Sequence, residues 1–385
     1  MRKPTVLLAL LALILSSFAA EARTFTVGPV GRDYTQLYAL FDANNLAPGD
    51  IVEVDGSALY GSVVVGEDDG GAPGNPVIIR WRRVAGASRP ALQGGLHTIK
   101  FQRSNHVVFE GFEVRGGANS CVFSEAHDVT VRDAVIHACP GHGILGADLN
   151  SGSFTLEYSE VYDAGSGSTR HPIYMQSDEI AYPGSIFRMR FNYVHNGNGG
   201  NLLKSRHERS EIHSNWFEGS VYQEIELIGP DCETQASGWT RATRREDSEL
   251  VNNVIVHTST TWPHAIRLGG DLNGASDGRV RMVGNTIVFD RPGAATAVYV
   301  QLGLGSVEMH NNAIFQTGGA APAILRENTT ADAPVCAPFV TQPWSGARIV
   351  FGTRNGVQST PAVVPPDWTG TMTGSAPGFR DAAQR

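Results

Sequence analysis

Short segments of alternating apolar and polar residues recur along this chain at irregular intervals, and an asparagine keeps one place in them. "IFRMRFNYV" (186–194), "SEIHSNWF" (210–217), "SELVNNVIV" (248–256), "VRMVGNTIV" (280–288) and "VEMHNNAIF" (307–314) align on Met189, Ile212, Leu250, Met282 and Met309. That alignment puts Asn192, Asn215, Asn253, Asn285 and Asn312 in one column, with steps from 23 residues (192 to 215) to 38 (215 to 253). A fixed strand core with loops of variable length suits a coil whose strands stay in register while its connections grow. Asparagines stacked at a sharp bend can hydrogen-bond from coil to coil, as Asn ladders do between parallel strands. The expected fold is all-β, a single-stranded right-handed parallel β-helix. A β-propeller fits less well, because its blades are more uniform and need several antiparallel strands each.

Earlier segments extend the repeat: "HVVFEGFEV" (106–114), "DVTVRDAVI" (128–136) and "SFTLEYSEV" (153–161). Before them, "RTFTVGPVGRDYTQLYALFDANNLAPGDIVEVDG" reads as a strand, a helix with Tyr34, Leu37, Leu40 and Phe41 at helical spacing, a "PGD" break and a second strand. An amphipathic helix is a natural plug for the open apolar end of a coil stack. Beyond about residue 320 the repeat fades, which predicts a β-helix over 23–330 and an irregular covering segment over 331–385.

The first residues carry Arg2 and Lys3, an apolar run, and Ala20 and Ala22 ahead of Arg23. This is the pattern of a secretory signal peptide over 1–22, and it predicts a secreted or periplasmic protein with no membrane span in the mature form. With 41% hydrophobic and 18% charged residues the chain can build a core, and its 44 glycines favour frequent turns. A net charge of −8 argues against general nucleic-acid binding. A monomer is expected. Of the four cysteines, Cys121 and Cys139 would lie on neighbouring coils and are expected to pair; Cys232 and Cys336 form a second bridge or stay free.

Each coil supplies a further strand: "CVFSEA" (121–126), "GILGAD" (143–148), "PIYMQSD" (172–178), "NLLKSRH" (201–207), "EIELIG" (224–229), "AIRLGG" (265–270) and "AVYVQL" (297–302). If Val122, Ile144, Ile173, Leu203, Ile225, Ile266 and Val298 point inward, the next residue of each points out. The outward column then reads Phe123, Leu145, Tyr174, Lys204, Glu226, Arg267, Tyr299. Two residues on, a parallel column contains Gln176, Arg206 and Gln301. His171 and Glu224 flank the same face, and Asp178 and Glu179 begin the loop above. The central coils alone carry this mixture of charge, which is where an extended polymer would lie.

β-Elimination of a uronate polymer requires a neutralised carboxylate, a base for the C5 proton and an acid for the leaving oxygen. Arg206 or Arg267 can clamp a carboxylate through paired N–H donors. Lys204, crowded by cations, can act as general base at a lowered pKa. Tyr174 or His207 can supply the proton. Gln176, His171, Glu224, Glu226 and Tyr299 are expected around the substrate. The plainer reading of Lys204 and Arg206 is an exposed strand face paired with Glu226.

At this level the chain resembles secreted polysaccharide-active β-helix proteins. "FTVGPVGRDYTQLYALFDANNLAPGDIVEV" followed by "GAPGNPVIIRW" is similar to their usual opening, and "GNLLKSRHERSEIHSNWF" resembles a segment of the alginate lyase and chondroitinase B family. The resemblance implies an anionic polysaccharide substrate, a lysine base at Lys204 and an assisting arginine. It departs in two places: Glu226 stands where the family expects an arginine, and Gly197 and Gly199 where it expects calcium ligands. No cofactor is required by the sequence; a calcium held by Asp178, Glu179, Glu224 and Glu226 is the option that remains.

Two other classes compete. Glu224 and Glu226, two apart on one strand, with Asp178 on a neighbouring coil, would suit a glycoside hydrolase. A non-catalytic glycan-binding solenoid needs only the polar patch. Uronate epimerisation shares the proton abstraction with the lyase.

Overall fold

The computed structural model describes residues 21–231, 247–271, 276, 278–301, 304–317, 321–328, 350–358 and 364–374. The chain winds through three sheets of 13, 12 and 10 strands. Within each sheet the strand pairs are parallel, and every strand's neighbours come from the coils before and after it. This is a parallel β-helix. One coil runs Ile186–Arg190 in the first sheet, Tyr193–His195 in the second and Leu203–Arg206 in the third. Neighbouring coils lie one strand spacing apart, roughly 4.8 Å.

Alternation explains the core. Val107, Phe109, Val129, Val131, Phe154, Leu156, Phe187 and Met189 all point into the stack and are buried. Each such side chain contributes roughly 1.5–3 kcal/mol relative to exposure. Where the first sheet bends into the second, the asparagine column forms as the repeat predicts. Asn192 Nδ2 donates to Asn215 Oδ1 at 2.9 Å, Asn215 to Asn253 at 3.1 Å, Asn253 to Asn285 at 2.9 Å and Asn285 to Asn312 at 2.9 Å. Each oxygen also accepts the backbone N–H of the preceding Asn, as at Asn192 to Asn215, 3.0 Å. The ladder continues to Asn355. The residue before each member, from Phe191 and Ser214 to Gly284 and Arg354, turns the corner with positive φ, a conformation that Gly adopts at least cost and Asn next.

A second ladder stands where the second sheet bends into the third, and its members differ in type. His142 Nδ1 accepts the N–H of His171 at 3.1 Å, His171 Nδ1 that of Asn201 at 2.9 Å, and Asn201 Oδ1 that of Gln223 at 3.2 Å.

The helix spans Leu37–Ala43, with Leu37 and Leu40 buried against the first coils; Tyr34 precedes it and bridges to Val27 instead. Cys121 and Cys139 form a disulfide between neighbouring coils, while Cys232 and Cys336 lie outside the described residues. So do residues 1–20, which hold most of the signal-like segment. Coiling continues past residue 330, where the sequence pattern had faded: Val350–Thr353 and Trp368–Thr369 extend the first sheet, Gly356–Gln358 and Met372–Gly374 the second. No helix among the described residues is long and apolar enough to cross a membrane.

Candidate functional site

The third sheet carries the outward column in the register that alternation gives. Tyr174 pairs with Lys204, Lys204 with Glu226, Glu226 with Arg267, Arg267 with Tyr299, and Tyr299 with Arg326. The inward partners Ile173, Leu203, Ile225, Ile266 and Val298 are fully buried beneath them. Over this column lies a cleft of about 420 Å³ whose described charged lining is Lys204, Arg267, Arg326 and Glu226. Arg326 extends the column one coil beyond the last strand considered from sequence; counting on from Tyr299 through "APAILRE" would have found it.

Glu226 is the hub. It is buried, accepting from Arg267 Nη1 at 2.5 Å and Asn201 Nδ2 at 2.6 Å. Lys204 Nζ stands farther off, 3.8 Å from Glu226 Oε2, and 5.1 Å from the Tyr174 ring centre. Burial pushes the Lys204 ammonium below its ordinary pKa; Glu226 opposes the shift and the nearby Arg206 adds to it. Arg326 lies 5.1 Å over the Tyr299 ring, which stacks on His264 at 4.6 Å. His171 lines the cleft as a neutral ring, since burial and the cation of Lys204 hold its pKa well below the usual histidine value.

Other residues expected at the substrate have different tasks. Arg206 is 2% exposed and its donors are committed: Nε to Tyr174 Oη at 3.1 Å, Nη1 to Gly229 O at 3.2 Å and Nη2 to Asp271 Oδ2 at 2.6 Å, with Asp231 2.9 Å from Nη1. It is a strut beneath two loops and has no free edge for a carboxylate. His207 turns inward against Phe187, and burial drops its pKa to about 3, so it cannot deliver a proton to the cleft. Glu224 is fully buried and bound to His257 Nδ1 at 2.6 Å and Ser220 Oγ at 2.5 Å. Gln176 is buried on the neighbouring rung to Arg206, off the cleft lining.

Asp178 caps a turn, accepting from the backbone of Asn150, Ile180 and Ala181, and Glu179 is buried. With Glu224 and Glu226 tied to His257 and Arg267, the four acids do not assemble a calcium shell. Among the described residues no three His, Cys, Asp or Glu side chains converge as metal ligands. Tyr174 keeps its place one rung from Lys204, but it too is off the cleft lining: its oxygen accepts from the buried Arg206, and burial raises its pKa, so it is not placed to protonate a leaving group in the cleft. A larger, shallower groove of about 720 Å³ lies over the second sheet; its one described arginine, Arg89, is bound to Asp133, so it offers no free positive charge to an acidic ligand.

No family model matches the chain, and no curated protein matches it. Solved structures do. A pectate lyase is 11% identical, with 92% of this chain and 77% of that one covered and a TM-score of 0.45. The A-module of the mannuronan C-5 epimerase of Azotobacter vinelandii is 14% identical (89% and 94% covered, TM-score 0.48). A PL6 family polysaccharide lyase from Pseudopedobacter saltans is 11% identical (92% and 92% covered, TM-score 0.39).

Proposed function

We propose that the cleft of the third sheet takes an acidic, uronate-containing polysaccharide and cleaves it by β-elimination outside the cytoplasm. The observation that carries this reading is the charge imbalance: three basic side chains and one carboxylate line a confined cleft of a chain whose net charge is −8. Arg267 and Arg326 would receive the substrate carboxylate and stabilise the charge that spreads onto it as the C5 proton leaves. Lys204, whose buried ammonium gives up its proton more readily than a free lysine, takes the C5 proton on Nζ in its deprotonated form. The C4–O bond then breaks, a C4–C5 double bond forms, and the departing oxygen takes the proton back from the Lys204 ammonium.

Glycoside hydrolysis finds less support, because it needs a pair of carboxyl groups free to act on substrate and water. Glu224 is held by His257 and Ser220, and Glu226 by Arg267 and Asn201.

The test is the ultraviolet absorbance of unsaturated uronyl ends, followed with alginate, pectate, glycosaminoglycans and bacterial uronate polymers. The expected result is a rise with at least one polymer that Lys204→Ala abolishes. New reducing ends without that absorbance would overturn the elimination.

A further inference from the structure

Beside the cationic column, the cleft has a wall of rings that the elimination chemistry does not use. Tyr222 and Trp262 both line it, their ring centres 5.7 Å apart, and Trp262 is 39% exposed in a chain that buries most of its large apolar side chains. Trp262 continues at 6.5 Å into His264, which stacks on Tyr299 at 4.6 Å, so ring faces run along the cleft past Arg267.

The backbone that presents Trp262 is held by a costly device. His257 and Glu224 are both fully buried and meet at 2.6 Å, and the other ring nitrogen of His257 donates to the Trp262 carbonyl at 2.8 Å. With Glu224 ionised, its carboxylate and the Trp262 carbonyl can only accept, so both ring nitrogens donate and the pair is ionic. Arg291 donates to the same carbonyl. Ser259 Oγ donates to Val221 O at 2.6 Å and accepts from the backbone N–H groups of Thr261 and Trp262. A buried ion pair is a poor source of net stability against an apolar alternative. Here it fixes one exposed indole at the mouth of a cleft.

We propose that Tyr222 and Trp262 form a sugar-ring subsite, stacking on the C–H face of the pyranose next to the one held at Lys204, with the buried Glu224–His257 pair positioning the indole. An aromatic face takes the apolar side of a sugar ring while the polar rim remains free for its hydroxyl groups. The proposal rests on the polysaccharide reading above and names which sugar unit the wall would hold.

The test uses the full chain in a Lys204→Ala background, so that nothing is turned over, titrated calorimetrically with alginate, pectate and hyaluronate hexasaccharides. At least one hexasaccharide is expected to give saturable heat, with binding about tenfold weaker in Trp262→Ala and largely restored in Trp262→Phe. His257→Gln is expected to raise KM in the Lys204-containing enzyme with kcat little changed, because only the placement of the indole is lost. Equal binding by Trp262→Ala, or no binding by any hexasaccharide, would overturn the subsite. Binding that depends on Trp262 without formation of unsaturated ends would keep the subsite and remove the lyase.

Discussion

On the outward face of the 13-stranded sheet, Glu53, Arg80, Glu110, Arg132, Glu157 and Arg190 stand in one column on successive strands, acid alternating with base. Their contacts close rung by rung: Arg80 to Glu53 at 2.6 Å, Arg132 to Glu110 at 2.7 Å, Arg190 to Glu157 at 2.7 Å. On the ten-stranded sheet the corresponding column reads Tyr174, Lys204, Glu226, Arg267, Tyr299, Arg326. There one acid stands among three basic residues, and tyrosines take the other two places. Two faces of one solenoid share the same register and the same spacing. The first neutralises itself and only keeps the coil solvated; the second is left with positive charge that a ligand can complete.

The contrast can be broken by substitution on each face. Lys204→Ala is expected to lower the rate of elimination by a factor on the order of 10³, whereas Arg132→Ala on the neutral face should leave it unchanged; both are read from initial rates of absorbance change. Glu226→Gln sharpens the account of the base. Glu226 raises the Lys204 pKa against the effect of burial, so without it Lys204 loses its proton at lower pH. The rising limb of the pH–rate profile should shift toward acid, and a shift toward alkali would count against Lys204 as base.

Stability should also divide the molecule. Burial lowers the pKa of His257, but the Glu224 carboxylate and the Trp262 carbonyl more than reverse this, with Arg291 opposing, and the net shift is upward. A raised folded-state pKa stabilises below the unfolded value of about 6.5 and loses that contribution as pH climbs through the folded value. The melting temperature should therefore fall across that window, and His257→Gln should flatten the fall. Asn253→Ala interrupts the ladder in its interior and leaves buried donors without partners, for an expected cost of about 1–3 kcal/mol by denaturant unfolding. Arg132→Ala removes one half-exposed ion pair and should cost roughly 0.2–1 kcal/mol.

Register was the most legible part of the sequence, for a physical reason. Side chains alternate with a period of two, and from Asn192 onward a recurrent Asn pins where the coils bend, so the outward neighbours of Lys204 follow by counting. The second ladder escaped notice because His142, His171 and Asn201 perform one task with different side chains. Burial within the polar patch was not legible either. Arg206 finds Asp271 across 65 residues and Glu224 finds His257 across 33, through loops whose lengths vary from coil to coil. His207 lies just past the end of its strand Leu203–Arg206, where alternation no longer assigns a side. Trp262 sits in the connection before its strand, outside any repeated pattern.

The central claim is that unpaired positive charge on the third sheet recognises uronate. Its most direct test is calorimetric titration of Lys204→Ala with the preferred polyuronate and with the same polymer after reduction of its carboxyl groups to neutral alcohols. The account expects the acidic form to bind at least about tenfold more tightly at low salt, with the gap closing as salt is added. Equal affinity for the two forms, indifferent to salt, would contradict it.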